Sequence, residues 1–306
     1  MRIQRGFEPS AGVGRAVAIG NFDGVHLGHQ QILAVLCRHG RELRSPTAVV
    51  CFEPQPKEYF AKGEPPARLM RLRDKVGRIA EAGVDELRVL RFDAQLARLD
   101  ADEFIGQVLV GALRARHVVI GEGFRFGRER RGDVDLLRRA GLEHGFAVDA
   151  VAPCLDDGRP VSSTRVREAL AVGRMDEARA LLGRDFRMSS RVVPGERLGR
   201  TLGFPTANLR LHRRVSPVAG IFAVRVSGAG LARRPGVASV GTRPTIDGRE
   251  WLLEAHVFDF GGDLYGERLD VDFIARLRDE VRYPDLASMT CQMQDDAREA
   301  RRLLTT

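Results

Sequence analysis

The chain has 306 residues, 43% of them hydrophobic and 29% charged, a composition typical of a globular protein long enough for two separate cores. Its longest apolar runs, such as 104–113, are too short to cross a bilayer. A secretory signal has a continuous apolar stretch near the N-terminus, but here glycine and arginine interrupt it. We therefore expect a cytoplasmic protein without a membrane partner. The net charge of +8 comes almost entirely from arginines scattered along the chain, and the aromatic content of 6% does not favour a base-stacking nucleic-acid platform.

Up to about residue 183, short apolar runs alternate with amphipathic stretches of helical length. The predicted strands are 16–19, 48–52, 87–90, 118–120 and 146–151, and the predicted helices are 29–39, 68–82, 101–113 and 134–144. This alternation predicts an α/β domain with a parallel sheet covered on both faces. Ligands of such sheets bind beyond the carboxyl ends of the strands.

After Arg184 the pattern changes to short strand-like runs separated by glycine and proline. The predicted strands are 187–193, 221–226, 236–240, 251–258 and 269–273, followed by a helix from about Pro284. This pattern predicts an antiparallel β-barrel with a C-terminal helix. We therefore expect two domains, 1–184 and 185–306.

The first predicted strand is followed by a glycine-rich segment that leads into a helix. Its glycines let backbone approach a phosphate, and the helix N-terminus adds N–H groups and a positive dipole end. His26 and His29 are three residues apart, so both imidazoles can face one ligand. A lone His-x-x-His is more often structural, but this context favours a phosphate site. The candidate residues are Gly20, Asn21, Phe22, Asp23, Gly24, His26, Gly28 and His29.

A second helix start lies at 162–167. Ser163 or Thr164 could be an ordinary N-cap, with Arg167 a solvated helix residue. Alternatively, the helix N-terminus and the fork-shaped guanidinium of Arg167 complete a clamp on a triphosphate.

The segment 203–208, Gly-Phe-Pro-Thr-Ala-Asn, places Thr206 and Asn208 two residues apart, on one face of an extended strand. Their oxygens are hard ligands of the kind that suits Mg²⁺ bridging the phosphates of ATP. The alternative is that both residues are turn formers.

Residues 16–29 and 160–170 resemble the adenylyltransferase domain of the bacterial bifunctional riboflavin kinase/FAD synthetases, and 52–56 also fits. The resemblance implies a Rossmann-like nucleotidyltransferase sheet that transfers AMP from ATP to FMN, producing FAD and pyrophosphate. The segment 119–127 looks like the family's flavin-side loop, which implies flavin contacts for Gly121, Phe124 and Phe126, although core packing is an equal alternative for the two phenylalanines. The family usually carries Asp or Asn where this chain has Gly123, so the strength of FMN binding is open.

Segments 195–209, 217–222, 241–245 and 263–266 are similar, in the same order, to the riboflavin kinase half of that family. The resemblance implies phosphorylation of riboflavin to FMN by ATP and Mg²⁺ in a barrel of the riboflavin kinase type. It assigns the catalytic base to Glu254; the alternative is that Glu254 belongs to the polar face of an alternating strand. Further contacts are expected from Gly195, Arg200, Gly203, Pro205 and Arg278.

Two rival interpretations stay open. One keeps the kinase but makes the adenylyltransferase weak or idle because of Gly123; normal FMN affinity would remove it. The other, remote, is an arginine-rich nucleic-acid-binding protein, which steep salt-dependent retention on DNA or RNA would favour. The expected partners are small molecules, with no nucleic acid, and the expected assembly is a monomer or a weak homo-oligomer.

Overall fold

The structure, a computed structural model, describes residues 1–9, 12–195, 202–245 and 248–305, and the side chains at 244, 245, 248 and 249 are not described. Its contacts divide the chain into two compact units. The first unit comprises Met1–Pro66 and Met70–Ser162, and the second comprises Ala67–Leu69 and Ser163–Thr306.

The first unit is built on a six-stranded sheet whose neighbouring strands are all parallel. Its strands are β1 (Arg2–Arg5), β2 (Arg15–Ile19), β3 (Thr47–Glu53), β4 (Glu86–Arg91), β5 (Ala115–Gly121) and β6 (Ala147–Val151). The strand order is β1-β4-β3-β2-β5-β6, and β7 (Leu155–Asp156) pairs with β8 (Arg159–Pro160) in a separate hairpin. The predicted parallel sheet is confirmed. The edge strand β1 was not predicted, because its residues are largely polar and exposed.

Helices cover the sheet and seal its core. They are α1 (Leu27–Glu42), α2 (Pro56–Tyr59), α3 (Leu72–Glu81), α4 (Ala94–Arg98), α5 (Ala101–Phe104), which continues as a π-helical stretch (Ile105–Ala112), and α6 (Val134–His144). The Asp133 carboxylate caps α6 by accepting from the Leu136 amide, and Gly145 ends the helix in the left-handed conformation that glycine adopts without steric cost. The central strands are buried in continuous apolar runs, as expected for a sheet covered on both faces.

The second unit begins with two helices, α7 (Ser163–Ala171) and α8 (Met175–Leu182), and then forms a closed six-stranded barrel. The barrel strands are β9 (Phe186–Val193), β10 (Ala207–Arg210), β11 (Gly220–Gly228), β12 (Leu231–Thr245), β13 (Gly248–Val257) and β14 (Arg268–Arg278). All pairings are antiparallel, in the order β10-β13-β12-β11-β14-β9, with β9 and β10 closing the barrel. This confirms the predicted barrel.

The chain ends in α9 (Leu286–Leu304), which confirms the predicted C-terminal helix. Asp285 caps it, and its buried residues Ala300 and Leu304 pack in a cluster with Ala223 and Phe258 of the barrel. The division into compact units assigns α7 and α8 to the second unit, whereas the predicted domain boundary at 184/185 assigns them to the first domain; that boundary stays a prediction.

Candidate active sites

In the first unit, the chain turns sharply between β2 and α1. Phe22 (φ 48°) and Val25 (φ 40°) both adopt the left-handed backbone region, which is costly for bulky and β-branched residues. Both side chains are buried, so packing holds the turn in this conformation. The turn lies at the carboxyl end of β2 and places the first turn of α1 there, whose N–H groups have no partner within the helix.

Two histidines stack at this helix start. The rings of His26 and His29 are 3.7 Å apart between centroids with 22° between their planes, and His29 also lies against Phe22 at 5.1 Å. A Cβ on Gly28 would lie 3.4 Å from the His26 ring, about van der Waals contact distance, so Gly28 is adjacent to this ring. The predicted pair is therefore together, on one side of the helix start.

The pKa of His29 is held well below its usual value by burial and by the positive potential of His26 and Lys75. Lys75 on α3 is 1% exposed, and sequence reasoning did not single it out. A buried ammonium group near a histidine pair makes the start of α1 suitable for binding an anion. Its only sequence signal was a charged residue at an inward position of an amphipathic helix.

His29 should make stability depend on pH. Because its folded-state pKa lies below about 6.5, the unfolded chain binds a proton that the folded chain does not as the pH falls through that value. The His29 contribution is thus fully present above about pH 6.5 and is lost at lower pH. We expect His29→Asn to flatten the fall of the thermal unfolding midpoint between about pH 8 and about pH 5. Identical profiles for both proteins would contradict this.

The other predicted residues of the turn differ in their surroundings. Asp23 is 2% exposed, and its Oδ1 accepts from the Met70 amide at 3.1 Å, which fixes the turn to the segment before α3. The Asn21 Oδ1 is buried, with no hydrogen-bond partner among the described residues. Gly20 donates its amide to the Val50 carbonyl at 3.0 Å, and Gly24 has a φ of 84°.

The predicted flavin-side loop follows β5. Gly121 ends that strand, and its carbonyl accepts from the Phe124 amide at 2.9 Å. Phe126 is 6% exposed and belongs to the hydrophobic core, with its ring stacked on Phe124 at 5.7 Å. Phe124 is only partly buried against the same core. Flavin contact by these rings stays a prediction. A Cβ on Gly123 would have no atom within 4 Å.

The predicted helix start at 163 is the N-terminus of α7 in the second unit. Ser163 is partly buried and Thr164 is exposed. The Arg167 Nε donates to the Ala67 carbonyl at 2.6 Å, so the guanidinium is anchored to backbone. Its contact with a nucleotide stays a prediction.

In the second unit, a cavity of about 590 Å³ lies between the barrel wall and α9. Its wall includes the predicted metal ligands, the predicted base and several groups not predicted: Thr206, Asn208, Ser239, Arg243, Glu254, His256, Arg278, Glu280, Tyr283, Met289 and Asp296. The structure thus brings together residues from four strands and α9 that are far apart in the sequence.

Strand register explains the core of this site. Asn208 on β10 is opposite Glu254 on β13, and Glu254 is opposite Ser239 on β12. Leu253 and Ala255 flank Glu254 along the strand and are buried, so Glu254 projects from the other face into the cavity.

Asn208 presents an oxygen to the cavity. Asn208 is 6% exposed, and its Oδ1 has no hydrogen-bond partner among the described residues. A Cβ on Gly195 would collide with the Asn208 amide group where it now lies, so glycine at 195 leaves the space that this side chain occupies. An orphaned buried oxygen beside Thr206 fits a hard cation such as Mg²⁺.

Two further charged groups, Arg243 and Glu280, also line the cavity near Glu254. Arg243 Nη2 donates to the Glu254 Oε1 at 2.6 Å. Burial and the nearby Glu254 carboxylate raise the pKa of Glu280, and Gly241 leaves the space that the Glu280 carboxylate fills. Glu254 and Glu280 therefore have different electrostatic environments within the same cavity.

The remaining predicted contacts have mainly structural partners. Arg278 makes a bidentate ion pair with Asp296 of α9, with Nε–Oδ1 at 2.9 Å and Nη2–Oδ2 at 2.6 Å, and this hydrogen bonding raises the pKa of Arg278. The Pro205 carbonyl accepts from the His256 Nδ1 at 2.9 Å. Gly203 has a φ of 80° in an exposed turn. Arg200 lies outside the described residues.

Each unit thus has its own polar site. The site of the first unit suits an anion at a helix start, and the site of the second unit suits a phosphate bound to a cation. One chain with both is a bifunctional transferase, with a nucleotidyl-transfer unit and a kinase unit. The FAD synthetase family model matches residues 9–165, and the riboflavin kinase family model matches residues 182–304.

Known proteins resemble the chain over nearly its full length. The bifunctional riboflavin kinase/FMN adenylyltransferase of Escherichia coli (strain K12) is 46% identical over 288 residues, covering 94% of this chain and 92% of that protein. Its Haemophilus influenzae counterpart is 45% identical over 304 residues, covering 98% of each chain. A crystal structure from Streptococcus pneumoniae, named a macrolide-efflux protein, has a TM-score of 0.85 and 30% identity, covering 98% of this chain and 99% of that one.

The chain belongs to the family of bifunctional riboflavin kinases/FMN adenylyltransferases. It is a riboflavin kinase and an FAD synthetase in one polypeptide. Within the described ranges, no helix has the length and apolar character needed to span a membrane.

Proposed function

We propose that the two reactions use separate ATP sites, with AMP transfer to FMN at the start of α1 and phosphorylation of riboflavin in the barrel cavity. The observation that carries this proposal is that each unit has its own cluster of phosphate-directed groups, the stacked His26/His29 pair in one and the Thr206, Asn208 and Glu254 cluster in the other. The proposal assigns the adenylyltransferase activity to a domain of residues 1–184 and the riboflavin kinase activity to a domain of residues 185–306.

In the kinase reaction, the primary hydroxyl of riboflavin attacks the γ-phosphorus of ATP and ADP leaves. Glu254 accepts the hydroxyl proton as general base. The hydrogen bond from Arg243 orients the carboxylate. Thr206 and Asn208 would hold Mg²⁺, which supplies charge neutralisation of the ATP phosphates.

In the adenylylation, a phosphate oxygen of FMN attacks the α-phosphorus of ATP, and pyrophosphate leaves. The His26 and His29 rings donate hydrogen bonds to phosphate oxygens whose negative charge increases in the transition state. The N-terminus of α1 contributes its N–H groups and positive dipole end. We also propose a nucleotide-binding role for Ser163, Thr164 and Arg167, and a flavin-binding role for Gly121 and Phe124.

The proposal extends to the localisation, assembly and partners of the protein. Both reactions consume intracellular small molecules, so we place the protein in the cytoplasm, acting as a monomer or a weak homo-oligomer without a nucleic-acid partner. A product assay tests the function: riboflavin, ATP and Mg²⁺ should yield FMN and then FAD by chromatography, and chelation of the metal should stop both. Formation of neither flavin nucleotide would contradict the proposal.

Gly195→Ala should impair the kinase alone. The added methyl group would displace the Asn208 amide, and a misplacement of about 1 Å in a positioning group can cost on the order of 10²-fold in rate. We expect FMN formation to fall by about 10- to 100-fold, while supplied FMN is still converted to FAD. Gly77→Ala, where a Cβ has no neighbour within 4 Å, is the matched control. An unchanged kinase rate in Gly195→Ala would remove Asn208 from the site.

Gly123→Asp tests the flavin side of the adenylyltransferase. The space around Gly123 accepts a side chain, and a new hydrogen bond to FMN would contribute about 1 kcal/mol, or roughly fivefold in affinity. We expect tighter FMN binding by isothermal titration in the presence of an ATP analogue. If the original chain already binds FMN as tightly as the variant, Gly123 does not weaken the site, and the idle-adenylyltransferase alternative is removed.

A further inference from the structure

The first unit holds a second cluster of imidazole and carboxylate groups that the proposed reactions do not use. It is formed by His39 on α1, His117 on β5 and Asp149 on β6. His39 Nε2 lies 2.6 Å from Asp149 Oδ2, and His117 Nε2 lies 3.6 Å from the same oxygen. The two imidazole rings stack with centroids 3.7 Å apart and 16° between their planes.

The cluster is remote from the proposed phosphate-binding residues of the same unit. His117 is opposite Ala16, at the beginning of β2, whereas the His26/His29 turn follows the end of that strand. His29 and His39 are ten residues apart on α1, which corresponds to about 15 Å along the helix. A ligand here cannot touch the phosphate-site histidines.

We propose that His39, His117 and Asp149 form a binding site for a divalent transition-metal ion of the zinc class. Imidazole nitrogen with carboxylate oxygen is a donor set that zinc prefers, with bonds of about 2.0–2.2 Å. Ligand atoms around a tetrahedral ion are then about 3.4 Å apart. The three candidate atoms already lie within 4.8 Å of one another, so small side-chain movements suffice.

His117 is the strongest single indication. It is 8% exposed, and its buried Nε2 lies 3.6 Å from Asp149 Oδ2, which is longer than an ordinary hydrogen bond. A buried imidazole nitrogen that has no hydrogen bond is costly in a fold unless another ligand satisfies it. An ion between this nitrogen and Asp149 Oδ2 would satisfy the imidazole nitrogen, while Asp149 Oδ2 is already paired with His39 Nε2.

Glu42 completes the arrangement. Its Oε2 lies 3.0 Å from the Nδ1 of His39. With Nε2 bound to the metal, His39 would carry its proton on Nδ1 and donate it to Glu42 Oε2. A carboxylate that orients a ligating histidine in this way is a common feature of metal sites. His39 is also in the last turn of α1, where the helix dipole favours a cation.

The expected consequence is stabilisation of the first unit. The ion would tie the end of α1 to β5 and β6, and a ligand that binds only the folded state raises the unfolding temperature. Chelator-treated full-length protein should bind one equivalent of Co²⁺ without nucleotide, with the visible absorption of a tetrahedral site, and Zn²⁺ should displace it and raise the thermal unfolding midpoint.

Variants locate the site. Asp149→Asn and His39→Gln should each weaken Co²⁺ binding by more than about 10-fold and abolish the Zn²⁺-dependent rise in melting temperature, while Glu42→Gln should weaken it by about 10-fold. His144→Gln, an exposed histidine in the same unit, is the matched control and should bind as the original chain does. Circular dichroism and retained conversion of supplied FMN to FAD check folding of the first unit. Absence of Co²⁺ binding by the original chain, or unchanged binding in Asp149→Asn and His39→Gln, would overturn the proposal.

Discussion

Glu254→Gln should abolish riboflavin phosphorylation while supplied FMN is still converted to FAD. Glutamine keeps the shape of glutamate and an oxygen that can accept from Arg243, but it cannot take a proton from the riboflavin hydroxyl. Loss of a positioned general base typically costs 10²–10⁴-fold, so we expect about that loss in FMN formation. The measurement is the initial rate of each product, with riboflavin or FMN as the starting flavin.

Glu250→Gln is the matched control for this variant. Glu250 lies four residues earlier on β13, where its Oε1 is 3.7 Å from the Arg210 Nε in a partly exposed ion pair. We expect both activities to be retained, since exposed ion pairs contribute little. Full kinase activity in Glu254→Gln would displace Glu254 as the base, and an equal loss in both variants would indicate general damage to the barrel.

Replacing His26 and His29 by alanine should have the converse effect. Each imidazole removed takes away a donor aimed at developing phosphate charge, and one such donor is worth about 10²-fold or more in rate. FAD formation should therefore fall by at least that factor per histidine, while FMN formation from riboflavin is unchanged. The kinase rate of the same protein is an internal check that the barrel is folded.

His144→Gln again supplies a matched control, because this exposed histidine of the same unit should leave both rates unchanged. If the double variant lost FMN and FAD formation together with its fold intact, the division of the two reactions between the units would be wrong. A double variant with full FAD formation would remove the stacked pair from catalysis.

The fold was predictable from local patterns to a large extent. Continuous apolar runs such as 16–19 and 48–52 predicted buried parallel strands, and glycine and proline between short strands predicted the barrel. The strands β1 and β10 are missing from the predicted strands, because the first is largely polar and the second has only four residues and begins within the Gly-Phe-Pro-Thr-Ala-Asn motif.

From residue spacing alone, the sites were predictable only where their residues are close together in the sequence, and Glu254 and Arg278 were predicted through the family resemblance. His26 and His29 share one helix turn, and Thr206 and Asn208 share one strand end. Arg243 and Glu280 reach the cavity only through the pairing and curvature of the barrel strands, and Asp296 reaches it from α9. Lys75 lowers the pKa of His29 only because α3, which is far from His29 in the sequence, packs near it in the fold. The spacing of residues along the sequence does not predict these long-range contacts.

The most direct test of the two-site account is a crystal structure of the full chain with Mg²⁺ and a non-hydrolysable ATP analogue. We predict two nucleotides per chain, one with its phosphates at the His26/His29 helix start and one with its phosphates beside Thr206 and Asn208. A single occupied pocket, or one nucleotide serving both sets of residues, would contradict the account.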